Sequence, residues 1–334
     1  MKVCVFGAGA IGGHVAARLA RGGADVSVVA RGANLAAIRE RGLTIVAKDA
    51  TFEARPAASD DPAELGPQDA VVVTVKGHQL AGVAAAIGPL LAPGTPVAFV
   101  MNGIPWWYFD RHGGPLDGTA LPALDPGGAI RRAVVVERTV GGVVYSACTV
   151  REPGRITVEN ERSRVVLGGL DGRLAEGELG ERTRALAAVM EAGGLEAPVV
   201  PDIRREVWAK LVSNLSNGPL CLLSRQSLGA TLDDPAARRA AEAGLAEGVA
   251  IAAGLGIALQ VDVAARVAAT STSRHKPSIL QDMEAGKALE LEAMLVQPLA
   301  LARLAGVATP VLDLLVGLAR KAAETSGQYA APVA

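Results

Sequence analysis

The stretch EVWAKLVSNLSNG, residues 206–218, places a lysine and two amides on a helix that is otherwise apolar. A helix turns by roughly 100° per residue, so with Lys210 at zero, Asn214 falls near +40° and Asn217 near −20°. The three share one narrow polar stripe. Val207, Leu211 and Leu215 form an apolar stripe beside it. An ammonium flanked by amides can donate a proton or a hydrogen bond to an oxygen that is gaining charge. The competing reading is a lysine lying along the helix with its head in water, beside two solvated amides.

Other segments carry chemistry of a different kind. GAGAIGG, Gly7–Gly13, follows a β-branched run and opens a helical pattern. Gly7, Gly9 and Gly12 satisfy G-x-G-x-x-G, with Ala10 and Ile11 between them. Such a turn lets a pyrophosphate approach the N–H groups at a helix N-terminus. The next strand-like run, DVSVVAR, ends in Arg31 with no acid beside it. NAD sites place an acid at that point to bind ribose hydroxyls. A guanidinium suits a 2′-phosphate instead, so NADPH is the expected cofactor. Lys76 and Asn102 end two later apolar runs, AVVVTVK and PVAFVMN, where ligands of doubly wound sheets bind. Lys76 suits a phosphate or a carboxylate, and Asn102 a ribose or a reacting carbonyl. In SILQ, Ser278 and Gln281 fit a capping box, which makes Ser278 a helix N-cap that is also placed to bind a carboxylate. Glu290 and Glu292 follow in KALELEAML, one expected to face a cleft and the other to be solvated.

These residues need a scaffold of two parts. The first third alternates short apolar runs with helical patterns, which is the signature of a doubly wound parallel sheet buried on both faces. From about residue 133, RAVVVERTVGGVVYSACTV, GRITVEN and SRVVLGG read as strands without long helices between them and suggest an antiparallel extension of that sheet. LGERTRALAAVMEAGG reads as a helix stopped by paired glycines. Prolines 198 and 201 then mark a boundary, and only helical patterns follow. The expected fold is α/β: a Rossmann-type doubly wound N-terminal domain over 1–201, binding NADP, and an all-α C-terminal domain over 202–334, carrying substrate and catalysis.

Bulk properties narrow the function. The 334 residues carry 33 basic and 34 acidic side chains, so nothing favours nucleic acid or an anionic membrane. Cys4, Cys148 and Cys221 are scattered, form no metal-ligand spacing with the four histidines, and suit a reducing cytoplasm. Arg303, Pro310 and Asp313 interrupt the longest apolar run, which argues for a broken buried helix over a membrane span.

Taken together, Gly7–Gly12, Lys76, Asn102, Lys210, Asn214, Ser278 and Glu290 resemble the pattern of the ketopantoate reductase (2-dehydropantoate 2-reductase) family. The likeness runs along almost the whole chain and is carried by VMNG, WAKLVSN and SILQDMEAGKALELE. The resemblance implies NADPH-dependent reduction of 2-dehydropantoate to pantoate, in pantothenate and coenzyme A biosynthesis. It matches Lys210 to the catalytic lysine and Glu290 to the glutamate at the substrate hydroxyl. It matches Asn102, Asn214 and Ser278 to substrate positions, and Lys76 with Asn102 to cofactor positions. It also implies that the polar stripe faces the interdomain cleft. Three features depart from the family pattern. Gly218 stands where an asparagine is usual, with Asn217 one residue early. His275 replaces a second asparagine. Trp106 and Trp107 follow Asn102 and are expected to wall the substrate pocket or to pack under a neighbouring loop. Two alternatives stay open: a paralogous reductase of another 2-oxoacid, and a non-catalytic NADP sensor, which would not need Lys210 and Glu290. A small 2-oxoacid is the expected partner, with a homodimer left open.

Overall fold

A computed structural model describes residues 1–172, 174 and 177–331. The chain divides into two compact units, one formed by Met1–Met101 with Trp106–Ile203, the other by Asn102–Pro105 with Arg204–Ala334.

The first unit runs β1 (Lys2–Phe6), α1 (Ala10–Arg21), β2 (Asp25–Val29), α2 (Gly32–Arg41), β3 (Leu43–Val46), β4 (Thr51–Ala54), β5 (Ala57–Ser59), β6 (Ala70–Val73), α3 (Leu80–Ala86), β7 (Val97–Val100), α4 (Ala129–Ala133), β8 (Thr139–Tyr145), β9 (Cys148–Glu152), β10 (Arg155–Val158), β11 (Arg164–Gly168), α5 (Gly177–Ala192) and β12 (Val199–Val200). Its main sheet has the order β12-β11-β8-β7-β6-β1-β2-β5. The strand order reverses between β1 and β6, both parallel to their neighbours and fully buried along Val3–Phe6 and Ala70–Val73. Burial on both faces explains why these strands read as unbroken apolar runs.

The expected antiparallel extension is corrected in detail. β8 runs parallel to β7 and antiparallel only to β11. β9 and β10 leave this sheet altogether and join β3 and β4 in a second, four-stranded sheet of order β4-β3-β10-β9. Sequence alone could not assign them, because period-2 patterning does not reveal which sheet a strand enters. α5 ends as expected at Gly193 and Gly194.

Trp106 and Trp107 do not wall a pocket. They are 2% and 1% exposed and pack inside the sheet unit. Trp106 meets Phe99 edge-on at 5.6 Å and lies under the Arg131 guanidinium. Trp107 presses on the backbone of β8: a Cβ added at Gly141 would come within 2.7 Å of its ring. A side chain of that size gains most from full burial where a glycine leaves room.

The second unit is helical: α6 (Arg204–Ser224), α7 (Leu228–Leu232), α8 (Pro235–Gly254), α9 (Val263–Thr270), α10 (Ser278–Glu284), α11 (Gln297–Leu304) and α12 (Pro310–Thr325). α6 runs through its middle, with Val207, Leu211 and Leu215 buried against the other helices. Helix ends are tied by acids. Asp234 accepts from Ala236 and Ala237 at the start of α8, Asp262 from Ala265 at the start of α9, and Glu247 of α8 from the N–H groups of Val311 and Leu312 in α12. These contacts satisfy amides that a first helical turn cannot pair internally. The long apolar run breaks as expected between Leu304 and Pro310. Among the described residues no helix is long and apolar enough to cross a membrane.

Candidate active site

In the sheet unit the glycine turn lies at the reversal of strand order, between β1 and α1. Gly7 has φ +105, a conformation other residues rarely adopt, and donates its N–H to Val29 O at 3.0 Å. Gly12 is held by close approach: a Cβ there would sit 1.9 Å from Gly7 O and 2.4 Å from Thr74 Oγ1. Gly9 is the N-cap of α1 without a side-chain cap, and a Cβ built on it meets nothing within 4 Å. The first-turn amides of Ala10, Ile11 and Gly12 have no intrahelical acceptors, and the first turn contains no acid. This cradle fits the pyrophosphate of a dinucleotide. Two residues that motif reading missed brace it. Thr74 Oγ1 donates to Gly7 O at 2.6 Å, and Asn34 donates to Ala8 O while accepting from Gly154 N.

Arg31 is the N-cap residue of α2, exposed, two positions past β2, with its guanidinium reaching toward Gly82 of α3. An exposed cation there fits a 2′-phosphate. Lys76 lies three residues past β6, not at its end. It starts a 3-10 turn in which its N–H donates to Gln79 Oε1. Asn102 likewise lies two residues past β7 and groups with the helical unit.

The helical unit brings Lys210 and Asn102 together across 108 positions of sequence: Lys210 Nζ donates to Asn102 Oδ1 at 2.7 Å. Removal from water pushes the ammonium pKa down to about 8, and the nearby carboxylate of Glu290 acts in the opposite sense. Lys210 is half-buried, with its ammonium tied to Asn102. Asn214, one turn later, is partly buried. Asn217 is the most buried of the three polar residues on this stripe. It is 9% exposed and its Oδ1 has no hydrogen-bond partner among the described residues. Two residues on, Pro219 interrupts the α6 ladder.

Ser278 is not an N-cap. Pro277 holds that position, and Ser278 is the exposed first residue of α10 with no capping hydrogen bond from its neighbour. Proline fixes its own φ and starts the helix without a side-chain acceptor, and Gln281 turns back to Lys276 O instead of closing a box. Gly218 sits beside this helix, where an added Cβ would be 3.6 Å from Ile279 Cγ2.

Glu290 immediately precedes a helical segment whose first full turn, Glu292–Val296, is π-helical. That wider turn leaves Ala293 O to accept from Ile104 N at 2.8 Å. The approach is so close that a Cβ at Gly103, which has φ +82, would fall 2.4 Å from Ala293 O. The loop bearing Asn102 is thus docked on the segment bearing Glu290. Glu292 is not solvated, as it accepts from Tyr329 and Gln297. No sequence motif announces these contacts.

A doubly wound sheet with a glycine cradle at its reversal point, followed by a helical unit with a desolvated lysine, defines the α/β dinucleotide-binding class with an appended helical domain. Comparison with known proteins narrows this. The ketopantoate reductase PanE/ApbA family profile matches residues 3–106, and its C-terminal profile matches residues 202–323. A 2-dehydropantoate 2-reductase of Mesorhizobium japonicum is 42% identical over 331 residues, covering 98% of this chain and all of the relative. The crystal structure of 2-dehydropantoate 2-reductase from Geobacter metallireducens superposes with TM-score 0.83 at 27% identity, over 96% of this chain and 100% of the other. D-mandelate dehydrogenase with NADH and anilino(oxo)acetate shares the fold, with TM-score 0.81 at 21% identity over 98% of this chain and 100% of the other. The chain belongs to the ketopantoate reductase family of oxidoreductases.

Proposed function

We propose that this chain reduces 2-dehydropantoate to pantoate with NADPH, in the cytoplasm, as a step of pantothenate and coenzyme A biosynthesis. The observation that carries the reading is the Lys210–Asn102 contact in a desolvated setting beside Glu290. NADPH, when bound, supplies the hydride that adds to the ketone carbon. Gly7, Gly9, Ala10, Ile11 and Gly12 would cradle its pyrophosphate, Arg31 its 2′-phosphate, and Lys76 and Asn102 its remaining polar groups.

The chain's own work is on the oxygen. As the carbonyl becomes an alkoxide, Lys210 Nζ donates a proton to it. With a pKa near 8, Lys210 is mostly protonated at neutral pH, yet gives up its proton more readily than a free lysine. Burial strengthens its attraction for a developing negative charge. Asn102 holds the ammonium in one direction. Asn214 and Ser278 bind the substrate carboxylate, and Glu290 orients the substrate hydroxyl.

A second reading, reduction of a bulkier 2-oxoacid, is favoured by Gly218, which has no side chain where the family pattern has an asparagine, beside Ile279 on the helix of Ser278. NADPH oxidation measured across a panel of 2-oxoacids separates the two. Highest kcat/KM on 2-dehydropantoate supports the first reading. A preference for larger side chains supports the second. No oxidation with any 2-oxoacid overturns both.

A further inference from the structure

We infer that the C-terminal residues Gln328 and Tyr329 form a clasp that positions Glu290 for reduction. The inference rests on the reading of Lys210 and Glu290 given above. The segment between α10 and Glu290 is exposed from Glu284 to Ala288. Burial of Leu289 and Leu291 fixes its depth, but apolar burial is non-directional. Direction comes from the tail. Gln328 Nε2 donates to Lys287 O at 2.8 Å and reaches Asp282 O and Met283 O at 3.2 Å each. Gln328 O accepts from Leu289 N at 3.0 Å, one residue before Glu290. Tyr329 OH donates to Glu292 Oε2 at 2.6 Å, two residues after it, while Gln297 Nε2 donates to Glu292 Oε1 at 2.7 Å. Glu290 is therefore tied on both sides by one dipeptide that lies about forty positions away in sequence.

The second knot holds more than one residue. Glu292 opens the π-helical turn, and the next residue, Ala293, receives the Ile104 N–H. Fixing Glu292 therefore also fixes the platform on which the Asn102 loop rests. Burial and the Glu292 charge both raise the Tyr329 phenol, so the hydroxyl remains a donor across the working pH range. Gln328 and Tyr329 are positioning residues: they act through Glu290 and Asn102.

The test uses the full chain with Tyr329→Phe, which removes one oxygen, and Gln328→Ala, each alone and combined with Glu290→Ala. Loss of a charge-assisted hydrogen bond predicts a fall of about tenfold in kcat/KM for the 2-oxoacid in Tyr329→Phe. The KM for NADPH stays unchanged and the melting temperature nearly so. In the Glu290→Ala background Tyr329→Phe causes a clearly smaller further loss, because only its action through the Asn102 loop remains. Equal losses in both backgrounds, or wild-type kinetics in both clasp variants while Glu290→Ala is impaired, overturn the clasp alone. Full turnover in Lys210→Ala and Glu290→Ala overturns the site assignment, and the clasp with it.

Discussion

The glycine cradle of the sheet unit and the lysine site of the helical unit are built in opposite ways. The cradle comes from one contiguous stretch, Gly7–Gly12, whose proposed role lies in backbone N–H groups and in missing side chains. The lysine site is assembled from side chains on segments near residues 102, 210 and 290, and its framing reaches to Tyr329. The first depends on local conformation and should fail when a Cβ is added. The second depends on long-range packing and should fail when a single polar atom is removed.

The sharpest test of this contrast is Lys210→Ala, which takes away both the proposed proton donor and the charge proposed to face the alkoxide. General acid catalysis is typically worth about 100- to 10,000-fold, and turnover should fall by that order. NADPH affinity, read by fluorescence titration, should stay near wild type. Lys210→Arg should rescue little, because a guanidinium is a very poor proton donor. Turnover close to wild type in Lys210→Ala would return this lysine to a purely structural role.

Gly12→Ala should show the reverse signature. The added Cβ meets backbone at Gly7 O, which cannot rotate away. Overpacking costs about 1–3 kcal/mol, so NADPH affinity should drop roughly 5- to 150-fold, while single-turnover reduction at saturating NADPH changes far less. A variant that binds NADPH normally would show that the turn does not cradle the nucleotide.

Arg31→Ala should raise the KM for NADPH at least about tenfold, since a charge-assisted contact to phosphate is worth about 1.5–3 kcal/mol. The KM for NADH should hardly move. Equal effects on both nucleotides would refute a role at the 2′-phosphate.

The pH profile probes the lysine site more gently. As the proposed proton donor Lys210 would act in its protonated form; its folded pKa is lowered to about 8, and kcat/KM should therefore decline as pH rises through that value. Glu290 raises this pKa against the effect of burial, so Glu290→Gln should move the alkaline limb to lower pH. An unmoved limb would mean that the two groups do not interact.

Trp107→Ala should have the smallest effect on reduction. Loss of a buried tryptophan costs about 3–5 kcal/mol, so the melting temperature should fall. The order of preference among 2-oxoacids should be unchanged, because the indole is packed against Gly141 and is not exposed. A changed order would place Trp107 at the substrate after all.

The sequence by itself determined what depends on neighbours in the chain. Unbroken apolar runs specified β1, β2, β6 and β7 as strands buried on both faces. Glycine spacing specified the turn before α1, and the 3.6-residue period placed Lys210 and Asn214 on one side of α6. Sequence also singled out Asn102, Lys210 and Glu290 as candidates, and resemblance to a family pattern assigned them to one site. Tertiary structure decided the rest. It sent β9 and β10 into a second sheet, because strand patterning carries no address. It buried Trp107 against a glycine in β8 more than thirty residues away, and Trp106 against Phe99 and under Arg131. It moved Ser278 out of the N-cap and gave Glu292 two donors. The lowered pKa of Lys210 and its bond to Asn102 also arise only in the folded chain. Desolvation is a property of the space around a group, and residues distant in sequence fill that space.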